Sequence, residues 1–289
     1  MRGDFNIASN DNTLFVTYRC NNNCMMCCQP PENIDDIEEL MAYNKSIVAR
    51  APKGIKTVGI SGGEPTLLGD RLVQLISYVR ETLPNADIHL LSNGRNFKDA
   101  DYTRSVVSAA NGRLIVGIPL HSDYSGDHDT IAGVKRSFYE TIAGLYNLAG
   151  CGAAIELRIV INRLNHMRLP YMADFICKNL PFVTWTAFMA MELIGHAEKN
   201  EHNIWVEPHE YSASLAKAVL SLAQSKKDVA VYNVPLCLIP KEIHEYAQKS
   251  ISDWKSIYLP QCEQCKLKSE CCGLFATSRR PFESLSPIV

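Results

Sequence analysis

The sequence has no long apolar run and no strong excess of one charge. No stretch approaches the roughly 18 consecutive apolar residues of a membrane span, and the first residues, 1–6, lack the apolar core of a secretory signal. The 29 basic residues nearly balance the 31 acidic ones, without a basic tail or stripe, which disfavours nucleic acid as a partner. We therefore expect a cytoplasmic protein that neither enters a membrane nor binds RNA or DNA tightly.

Cysteine, in contrast, is abundant, with 11 among 289 residues. In a chain without an export signal, that number favours metal ligands in a reducing compartment over a disulfide framework. The cysteines Cys20, Cys24 and Cys27 have the spacing C-x3-C-x2-C. Three thiolates on one loop can hold three irons of a four-iron cluster and leave the fourth iron open, so the spacing indicates a site for chemistry.

Zinc is the alternative metal for this loop, and a set of incidental buried thiols is the alternative to any metal. Structural zinc usually takes four ligands, and the loop has no His nearby. It does have a fourth thiol, Cys28, directly after Cys27. Because adjacent cysteines rarely reach one cluster together, we expect Cys28 to stand outside the site.

Short strand-like runs alternate with amphipathic, helix-like stretches. The strand-like runs are 14–17, 57–60, 88–91, 114–118, 155–161 and 183–189. The stretches 70–82 and 138–148 carry apolar residues on one helical face, and Gly150 is a predicted C-cap. Six such units predict an α/β protein with a parallel sheet and helices outside it.

The turn Ser61-Gly62-Gly63-Glu64-Pro65-Thr66 follows the second strand-like run. Two glycines allow backbone groups to approach a ligand closely. Glu64 can accept hydrogen bonds from an ammonium group, and Pro65 restricts the turn. Alone, the segment is an ordinary strand-to-helix turn, but its position after C-x3-C-x2-C makes it specific.

The two motifs together resemble the radical S-adenosylmethionine (SAM) enzymes. The resemblance implies that Cys20, Cys24 and Cys27 are catalytic and hold a [4Fe–4S] cluster, whose open iron chelates the amino and carboxylate groups of SAM. It also implies that an electron from the cluster cleaves SAM, and that the resulting 5′-deoxyadenosyl radical takes a hydrogen atom from the substrate. Met26 departs from the pattern, since an aromatic residue is common before the third cysteine.

Radical SAM proteins commonly have a partial (β/α)6 barrel, with the chemistry on the loops that follow the strands. We expect Gly62, Gly63 and Glu64 to bind the methionine amino group, and other strand ends to bind the rest of SAM. The expected cofactor-binding residues are Gly62, Gly63, Glu64, Pro65, Ser92, Asn93 and Arg158. Weaker candidates at strand ends are His121, Ser122, Met189 and Met191. For the candidates outside the Gly-Gly-Glu-Pro turn, the alternative to SAM binding is a role in a turn, a buried ion pair or core packing.

A second group of cysteines lies near the C-terminus: Cys237, Cys262, Cys265 and Cys271, with Cys272 adjacent. The spacing C-x2-C-x5-C resembles an abbreviated SPASM/twitch-type auxiliary-cluster domain of peptide-modifying radical SAM enzymes. The resemblance implies a second [4Fe–4S] cluster, with Cys271 favoured over Cys272 as the ligand, while a structural zinc remains the alternative. We expect a radical SAM barrel over residues 1–225 and an auxiliary-cluster domain over 226–289, and expect Cys151 and Cys177 to be buried.

Several phrases are similar to the radical maturase family of the His-Xaa-Ser peptide system. They are Asn21-Asn22-Asn23-Cys24 with Gln29-Pro30-Pro31, Leu91 to Arg95, Asn179 to Val183, Tyr232 to Cys237, and 250–255. The likeness implies a ribosomally made peptide with His-Xaa-Ser repeats as substrate, and an external electron donor. Only about a dozen residues precede the first strand, so we expect a second maturase or another partner protein to recognise the leader.

Three interpretations therefore remain. The first is a peptide-modifying radical enzyme, the second a radical enzyme acting on a small molecule or tRNA base, and the third a non-catalytic zinc module. The near-neutral charge disfavours RNA, and the C-terminal cysteines favour a peptide. No residue outside the cysteines is identified as a general acid or base.

Overall fold

The computed structural model describes residues 4–9, 12–249, 256–277 and 282–289. The phrase at 250–255 and the first three residues, both used in the sequence-based expectations, lie outside this part of the chain. Within the described residues, no helix combines the length and the apolar character that crossing a bilayer requires.

Strands and helices alternate along most of the described chain. The strands are β1 (Thr13–Phe15), β2 (Thr57–Ser61), β3 (Asp87–Leu91), β4 (Leu114–Pro119), β5 (Ala154–Ile161), β6 (Trp185–Ala190), β7 (Asp228–Tyr232), β8 (Ala247–Gln248), β9 (Ser256–Ile257) and β10 (Leu274–Phe275). The helices are α1 (Ile37–Arg50), α2 (Asp70–Thr82), α3 (Ala100–Ala109), α4 (Ser125–Ala132), α5 (Ser137–Gly150), α6 (Leu169–Asn179), α7 (His196–Lys199), α8 (Glu201–Ile204) and α9 (Pro208–Gln224).

One sheet contains β1 to β8 in the order of the sequence. The pairs β1–β2, β2–β3, β3–β4, β6–β7 and β7–β8 are parallel. The sheet order has an edge strand at each end, β1 and β8, so the sheet is open. The α/β class and the parallel sheet are confirmed, as a partial barrel requires. β7 and β8 extend the sheet beyond the six strands that were expected, while β9 and β10 form a separate antiparallel pair.

The chain divides into two compact units. Unit 1 contains the described residues of Met1–Asn23, Pro30–Pro119 and Val134–Glu156. Strand residues Ile60, Ile88 and Leu90 are fully buried there. Helix α2 has the bounds predicted from its periodicity, and its predicted apolar face is buried; the face consists of Leu72, Leu75, Ile76 and Val79. Burial of that stripe explains why this segment is helical, since an amphipathic helix is stabilised mainly by packing.

Helix α5, also in unit 1, differs from its prediction in two details. Ile142 is only half-buried, and Gly144 takes its place on the packed face. The helix includes Gly150, so the C-cap is Cys151 and the prediction for Gly150 was wrong by one residue. Gly144 is needed because a Cβ there would lie 2.2 Å from the carbonyl oxygen of Gly94.

Unit 2 contains the described residues of Cys24–Gln29, Leu120–Gly133 and Leu157–Val289. Its longest helix, α9, begins with Pro208 after a capping box between Glu207 and Glu210, a sequence signal that fixes the start of a helix. Cys151 in unit 1 and Cys177 in unit 2 are half-buried, so the expectation of full burial was wrong for both.

Candidate active site

The glycine pair after β2 packs directly on the backbone that follows β1. The Gly63 N–H donates to the Thr17 carbonyl at 2.7 Å, and the Glu64 N–H donates to the Arg19 carbonyl at 2.8 Å. A Cβ at Gly62 would lie 2.7 Å from the Thr17 oxygen, and one at Gly63 would lie 2.2 Å from the Arg19 oxygen. Only glycine permits this approach, which places the Gly-Gly-Glu turn against the start of the cysteine loop.

The carboxylate of Glu64 joins the loops that follow β2 and β3. Its Oε1 accepts from the Thr66 backbone N–H at 3.0 Å, from the Thr66 hydroxyl at 2.6 Å and from the Ser92 hydroxyl at 2.7 Å. Its Oε2 accepts from the Asn93 backbone N–H at 2.7 Å. The side chain is fully buried, and burial raises the pKa of this carboxyl group, while the hydrogen bonds oppose that rise. Glu64 is therefore a structural support of the site in this arrangement.

Pro65 begins a short 3-10 turn, Pro65–Leu68, directly after Glu64. The first helical position suits proline, because the backbone N–H that proline lacks would have no partner within the helix there. Pro65 and Thr66 are both buried. These residues therefore contribute the rigidity of the turn.

Asn93 contacts the first cysteine of the loop. Its side-chain Nδ2 lies 2.6 Å from Asn21 Oδ1 and 4.0 Å from Cys20 Sγ. The Cys20 sulfur also accepts from the Asn22 backbone N–H at 3.3 Å. Burial raises the pKa of the Cys20 thiol, so its deprotonation would accompany metal binding. Two N–H donors on one sulfur suit a metal-bound thiolate.

Arg95 is an anchor of the loop that the sequence analysis did not identify. Its Nη1 donates to the Asn21 carbonyl and, at 2.9 Å, to Asn22 Oδ1. Its Nε donates to Glu140 at 2.7 Å, and both side chains are largely buried. The guanidinium group thus holds two successive residues that follow Cys20. The available signal in the sequence was its position on the same strand end as Asn93, two residues further along the chain.

Asp36, which precedes α1, is a second unpredicted anchor. Its carboxylate accepts from the Thr17 hydroxyl at 2.8 Å and from the Tyr18 backbone N–H at 2.6 Å. The side chain is buried. The chain between β1 and Cys20 is thereby fixed before the cysteines begin.

The second half of the cysteine loop belongs to unit 2. Cys24 Sγ lies 4.0 Å from Nε2 of His121, and the Cys24 carbonyl oxygen lies 3.3 Å from Nδ1 of His196. The backbone N–H of His196 also donates to the Cys27 carbonyl at 2.8 Å. Cys27 Sγ contacts the Gln29 carbonyl at 2.9 Å, and Cys28 is exposed. Two histidines distant in sequence thus contact the part of the loop that carries Cys24 and Cys27.

Methionines between the cysteines anchor this half of the loop. The Met25 N–H donates to the Ile131 carbonyl at 2.9 Å, and Asn200 Nδ2 donates to the Met25 carbonyl at 2.9 Å. Met26 is buried in an apolar cluster that includes Met191 and Trp205. An apolar residue at position 26 therefore packs the loop onto unit 2 without an aromatic ring.

The remaining candidates occupy varied environments. Arg158 is half-buried on β5, and its carbonyl accepts from the Leu120 N–H at 3.0 Å. Met189 is half-buried, and Met191 is buried in the apolar cluster. Ser122 is buried, and its hydroxyl accepts from the Tyr124 N–H at 3.2 Å. Core packing and turn formation account for Met191 and Ser122.

His89 and Glu156 form a polar pair that the sequence analysis did not single out. His89 Nε2 lies 2.7 Å from Glu156 Oε2. His89 lies on β3 between the buried Ile88 and Leu90, so its side chain projects from the opposite face of the sheet. A histidine between two apolar strand residues was the signal that could have drawn attention to it.

The C-terminal cysteines line one cavity of unit 2. Its walls include Cys237, Cys262, Cys265 and Cys271, together with apolar side chains such as Leu236 and Leu274. Cys262 and Cys265 flank a tight turn in which the Cys265 N–H donates to the Cys262 carbonyl at 3.1 Å. Thiols distant in sequence are thus brought to the same cavity.

Cys271 and Cys272 differ in environment although they are adjacent. Cys271 lines the cavity, and its sulfur accepts from the Gly273 N–H at 3.4 Å. A hydrogen bond from Cys272 is the main cause that lowers the pKa of Cys271 to about 6. Cys272 is buried, and its thiol donates to the Gly273 carbonyl at 3.3 Å. Its hydrogen bond to Cys271 and its burial both raise the pKa of Cys272. Cys271 is therefore the thiol with the properties of a metal ligand.

In the residues that the structure describes, no three His, Cys, Asp or Glu side chains are grouped as the ligands of a single metal ion. A cluster requires less convergence than a mononuclear zinc, because each thiolate binds a different iron. The donor set at the N-terminal loop, thiols with N–H groups directed at sulfur, fits a cluster ligated by cysteine.

Comparison with known families gives a match over about half of the chain. The model described as the Radical SAM superfamily matches residues 14–163. The matched segment contains the three N-terminal cysteines, the Gly-Gly-Glu-Pro turn and strands β2 to β5.

Two curated relatives are similar to this chain over about half of its length. The Fe-coproporphyrin III synthase of Methanosarcina barkeri is 28% identical over 163 residues, covering 56% of this chain and 39% of the relative. A probable GTP 3′,8-cyclase of Saccharolobus islandicus is 29% identical over 158 residues, covering 54% and 49% respectively. The chain thus spans less than half the length of these two relatives.

Two solved structures have a similar fold at low identity. SuiB of Streptococcus suis bound to S-adenosylmethionine matches with a TM-score of 0.57 and 15% identity, covering 85% of this chain and 54% of SuiB. The structure of anSMEcpe with bound AdoMet and a peptide matches with a TM-score of 0.62 and 14% identity, covering 95% and 91%. At these identities the likeness concerns the fold alone.

Proposed function

The chain belongs to the radical SAM superfamily, and on that premise we propose that it cleaves SAM reductively and modifies a ribosomally made peptide. The observation that carries the proposal is the cysteine loop itself, with Cys20, Cys24 and Cys27 after β1 and the Gly-Gly-Glu turn packed on its start. The three cysteines would hold a [4Fe–4S] cluster, which supplies the electron and the open iron for SAM when bound. Further roles fall to the residues around it.

SAM would bind against the strand ends that carry Gly62, Gly63 and Asn93. The Glu64 carboxylate is occupied by Thr66, Ser92 and Asn93, so its part is to hold the loops in register. Acceptors for the SAM amino group would then be backbone carbonyls of the glycine turn, at which no side chain obstructs approach. Arg158 remains the proposed partner of the SAM carboxylate.

We assign the C-terminal cavity to a second, auxiliary [4Fe–4S] cluster within a domain of residues 226–289. Cys237, Cys262, Cys265 and Cys271 all line that cavity, and four thiolates would saturate a cluster with no open iron. Structural zinc is the competing occupant. Metal analysis separates them: we expect about eight irons with matching sulfide for each chain, four in each cluster, and a protein with one cluster and one zinc would contradict the assignment.

A peptide with His-Xaa-Ser repeats is the proposed substrate. The support is the C-terminal set of four cysteines, the similarity of several phrases to the His-Xaa-Ser maturases, and the fold shared with SuiB, which has been crystallised with its precursor peptide SuiA. Leader recognition by a partner protein and electrons from an external donor in the cytoplasm complete the proposal.

A small-molecule substrate is the second candidate, because the curated relatives are a Fe-coproporphyrin III synthase and probable GTP cyclases. The two relatives match only 56% and 54% of this chain. The peptide is the better supported substrate because four C-terminal cysteines line one cavity and because the fold is shared with SuiB, which has been crystallised with a precursor peptide.

The test uses protein reconstituted anaerobically with iron, sulfide, SAM and dithionite. We expect 5′-deoxyadenosine to form, and deuterium to appear in it when the supplied His-Xaa-Ser peptide is deuterated at His and Ser. Parallel reactions contain GTP or coproporphyrin in place of the peptide, with and without the partner maturase. Deuterium transfer from neither residue, together with turnover of GTP or the porphyrin, would replace the peptide by a small molecule.

A further inference from the structure

The geometry points to His121 as a positioning residue that donates a hydrogen bond from Nε2 to the thiolate of Cys24 and thereby raises the reduction potential of the N-terminal cluster. This inference rests on the proposed function, because it requires Cys24 to be a cluster ligand. The two atoms lie 4.0 Å apart. The side chain of His121 is almost completely buried, so it is directed at the sulfur and not at solvent.

The orientation of His121 is fixed by contacts other than the one to Cys24. Its backbone N–H donates to Nδ1 of His128 at 3.2 Å, and its carbonyl accepts from Nδ2 of Asn165 at 2.9 Å. The two imidazole rings are tilted against each other at 5.1 Å between centroids. His128 and Asn165 are themselves buried. Buried polar groups therefore hold the backbone of His121 in place, and the His128 ring packs on its imidazole.

The proton of the ring belongs on the nitrogen that faces Cys24. A neutral imidazole has one N–H, on either Nδ1 or Nε2. Nδ1 is buried without a hydrogen-bond partner in the described structure, whereas Nε2 has the Cys24 sulfur. The tautomer with hydrogen on Nε2 is the one whose N–H finds an acceptor.

An N–H group directed at a ligating sulfur affects the two oxidation states of a cluster unequally. Reduction adds negative charge that is shared with the sulfur ligands, so the donor stabilises the reduced cluster more than the oxidised one. Hydrogen bonds to sulfur are among the factors that set cluster potentials. His121 would thus make the cluster easier to reduce, without touching SAM or the substrate.

His196 provides a matched comparison within the same loop. Its Nδ1 contacts the carbonyl oxygen of Cys24, at 3.3 Å, and its backbone N–H donates to Cys27. Its side chain therefore meets the backbone of the same cysteine and not the sulfur. Replacing the His196 side chain removes a contact to the same cysteine while leaving the N–H···S contact intact.

The experiment is an anaerobic redox titration of the full-length, reconstituted protein, followed by EPR. The signal that changes when SAM is added identifies the cluster with the open iron. We expect His121→Leu to shift its midpoint potential to a more negative value at unchanged iron content. His121→Gln, which retains an N–H near the position of Nε2, should stay close to the wild type, and His196→Leu should not reproduce the shift.

A second measurement covers the case in which His121→Leu does not assemble a cluster. Protein labelled with ¹⁵N only in histidine is reduced without SAM and studied by pulsed EPR. A weak ¹⁵N coupling should be present in the wild type and in His196→Leu, and absent in His121→Gln. A wild-type protein without this coupling, or a His121→Leu cluster at the wild-type potential, would overturn the inference while leaving the proposed function intact. A wild-type protein without any SAM-responsive cluster would instead remove the proposed function.

Discussion

The two groups of cysteines are held by the fold in different ways. The N-terminal cysteines follow one strand within eight residues, and polar groups contact them one by one: Asn93 meets Cys20, and His121 meets Cys24. The C-terminal four come from residues 237–271 and line one mostly apolar cavity. On the proposed assignment, three thiolates would leave one coordination position of a cluster for a ligand, whereas four would leave none. The proposed N-terminal site would then carry the reaction, and the proposed C-terminal site would transfer electrons or bind.

The largest expected effect comes from breaking the N-terminal group. Cys24→Ala should abolish formation of 5′-deoxyadenosine and reduce iron from about eight to about four for each chain, since one of two clusters is lost. Cys28→Ala is the matched control, because Cys28 is the exposed neighbour of the loop and lies outside the proposed ligands. It should retain both iron and SAM cleavage. SAM cleavage that survives in Cys24→Ala would remove the distinction between the two groups.

The next effect tests the C-terminal group by itself. Cys271→Ala should reduce iron to about four for each chain, keep SAM cleavage and lose modification of the peptide, because only the auxiliary site is broken. Cys272→Ala should keep about eight irons and lose about 1 kcal/mol of stability, as expected for a small truncation in a packed site. Iron analysis and product mass spectrometry measure both. Loss of iron in Cys272→Ala alone would reverse the assignment of the ligand.

A smaller effect should follow from removing the support of the N-terminal loop. Each buried donor left without an acceptor costs about 1–3 kcal/mol, and Glu64 serves donors on Thr66, Ser92 and Asn93. Glu64→Ala should therefore lower the free energy of unfolding by about 3 kcal/mol or more. Glu64→Gln should cost less, because it keeps one acceptor oxygen.

Anaerobic denaturation of samples with equal iron content measures these changes. Glu81→Ala, at an exposed position in α2, is the control and should change stability by no more than about 0.5 kcal/mol. Equal stabilities of Glu64→Ala and Glu81→Ala would mean that the Glu64 carboxylate does not hold the loops together.

The smallest effect concerns the anchor beside Cys20. Arg95→Lys replaces a planar fork by a point charge and cannot serve Asn21, Asn22 and Glu140 together. We expect SAM to bind about fivefold more weakly, which corresponds to about 1 kcal/mol, with iron content unchanged. Arg104→Lys is the control, since Arg104 is exposed and its described ion pair is with Asp101, on the same helix. Equal affinities in both variants would show that the loop needs no such anchor.

Sequence patterns predicted the positions of most helices and strands, but they did not predict the full sheet or the close contacts between elements. The buried face of α2 follows from periodicity, and the bounds of β2 and β3 were predicted to within one residue. The expected sheet lacked β8 because two residues are too few for a periodicity to detect, and it lacked β7 because that strand follows the six units that were counted. The predicted C-cap at Gly150 was wrong by one residue, at a helix end. Ile142 is less buried than predicted, because the close approach at Gly144 places that glycine on the packed face.

The candidate site shows the same limit. The residue types of Cys20, Glu64 and Asn93 indicated their neighbourhood, because successive parallel strands bring their carboxyl ends to one edge. Nothing local indicated that the Glu64 carboxylate would be occupied by the next loop, or that Arg95 and Asp36 would hold the chain around Cys20. Those contacts join residues 18 to 74 positions apart and depend on tertiary packing.

The close backbone approach at Gly62 and Gly63 has a consequence for how this gene can vary. In a library of all single substitutions, both positions should accept no residue but glycine, because a carbonyl oxygen of the main chain occupies the space of a Cβ. Gly150 has no atom within 4 Å of its Cβ position, lies in a helix, and should accept alanine with a gain of about 0.5–1 kcal/mol. Freedom to mutate is thus decided at each glycine by the neighbouring backbone.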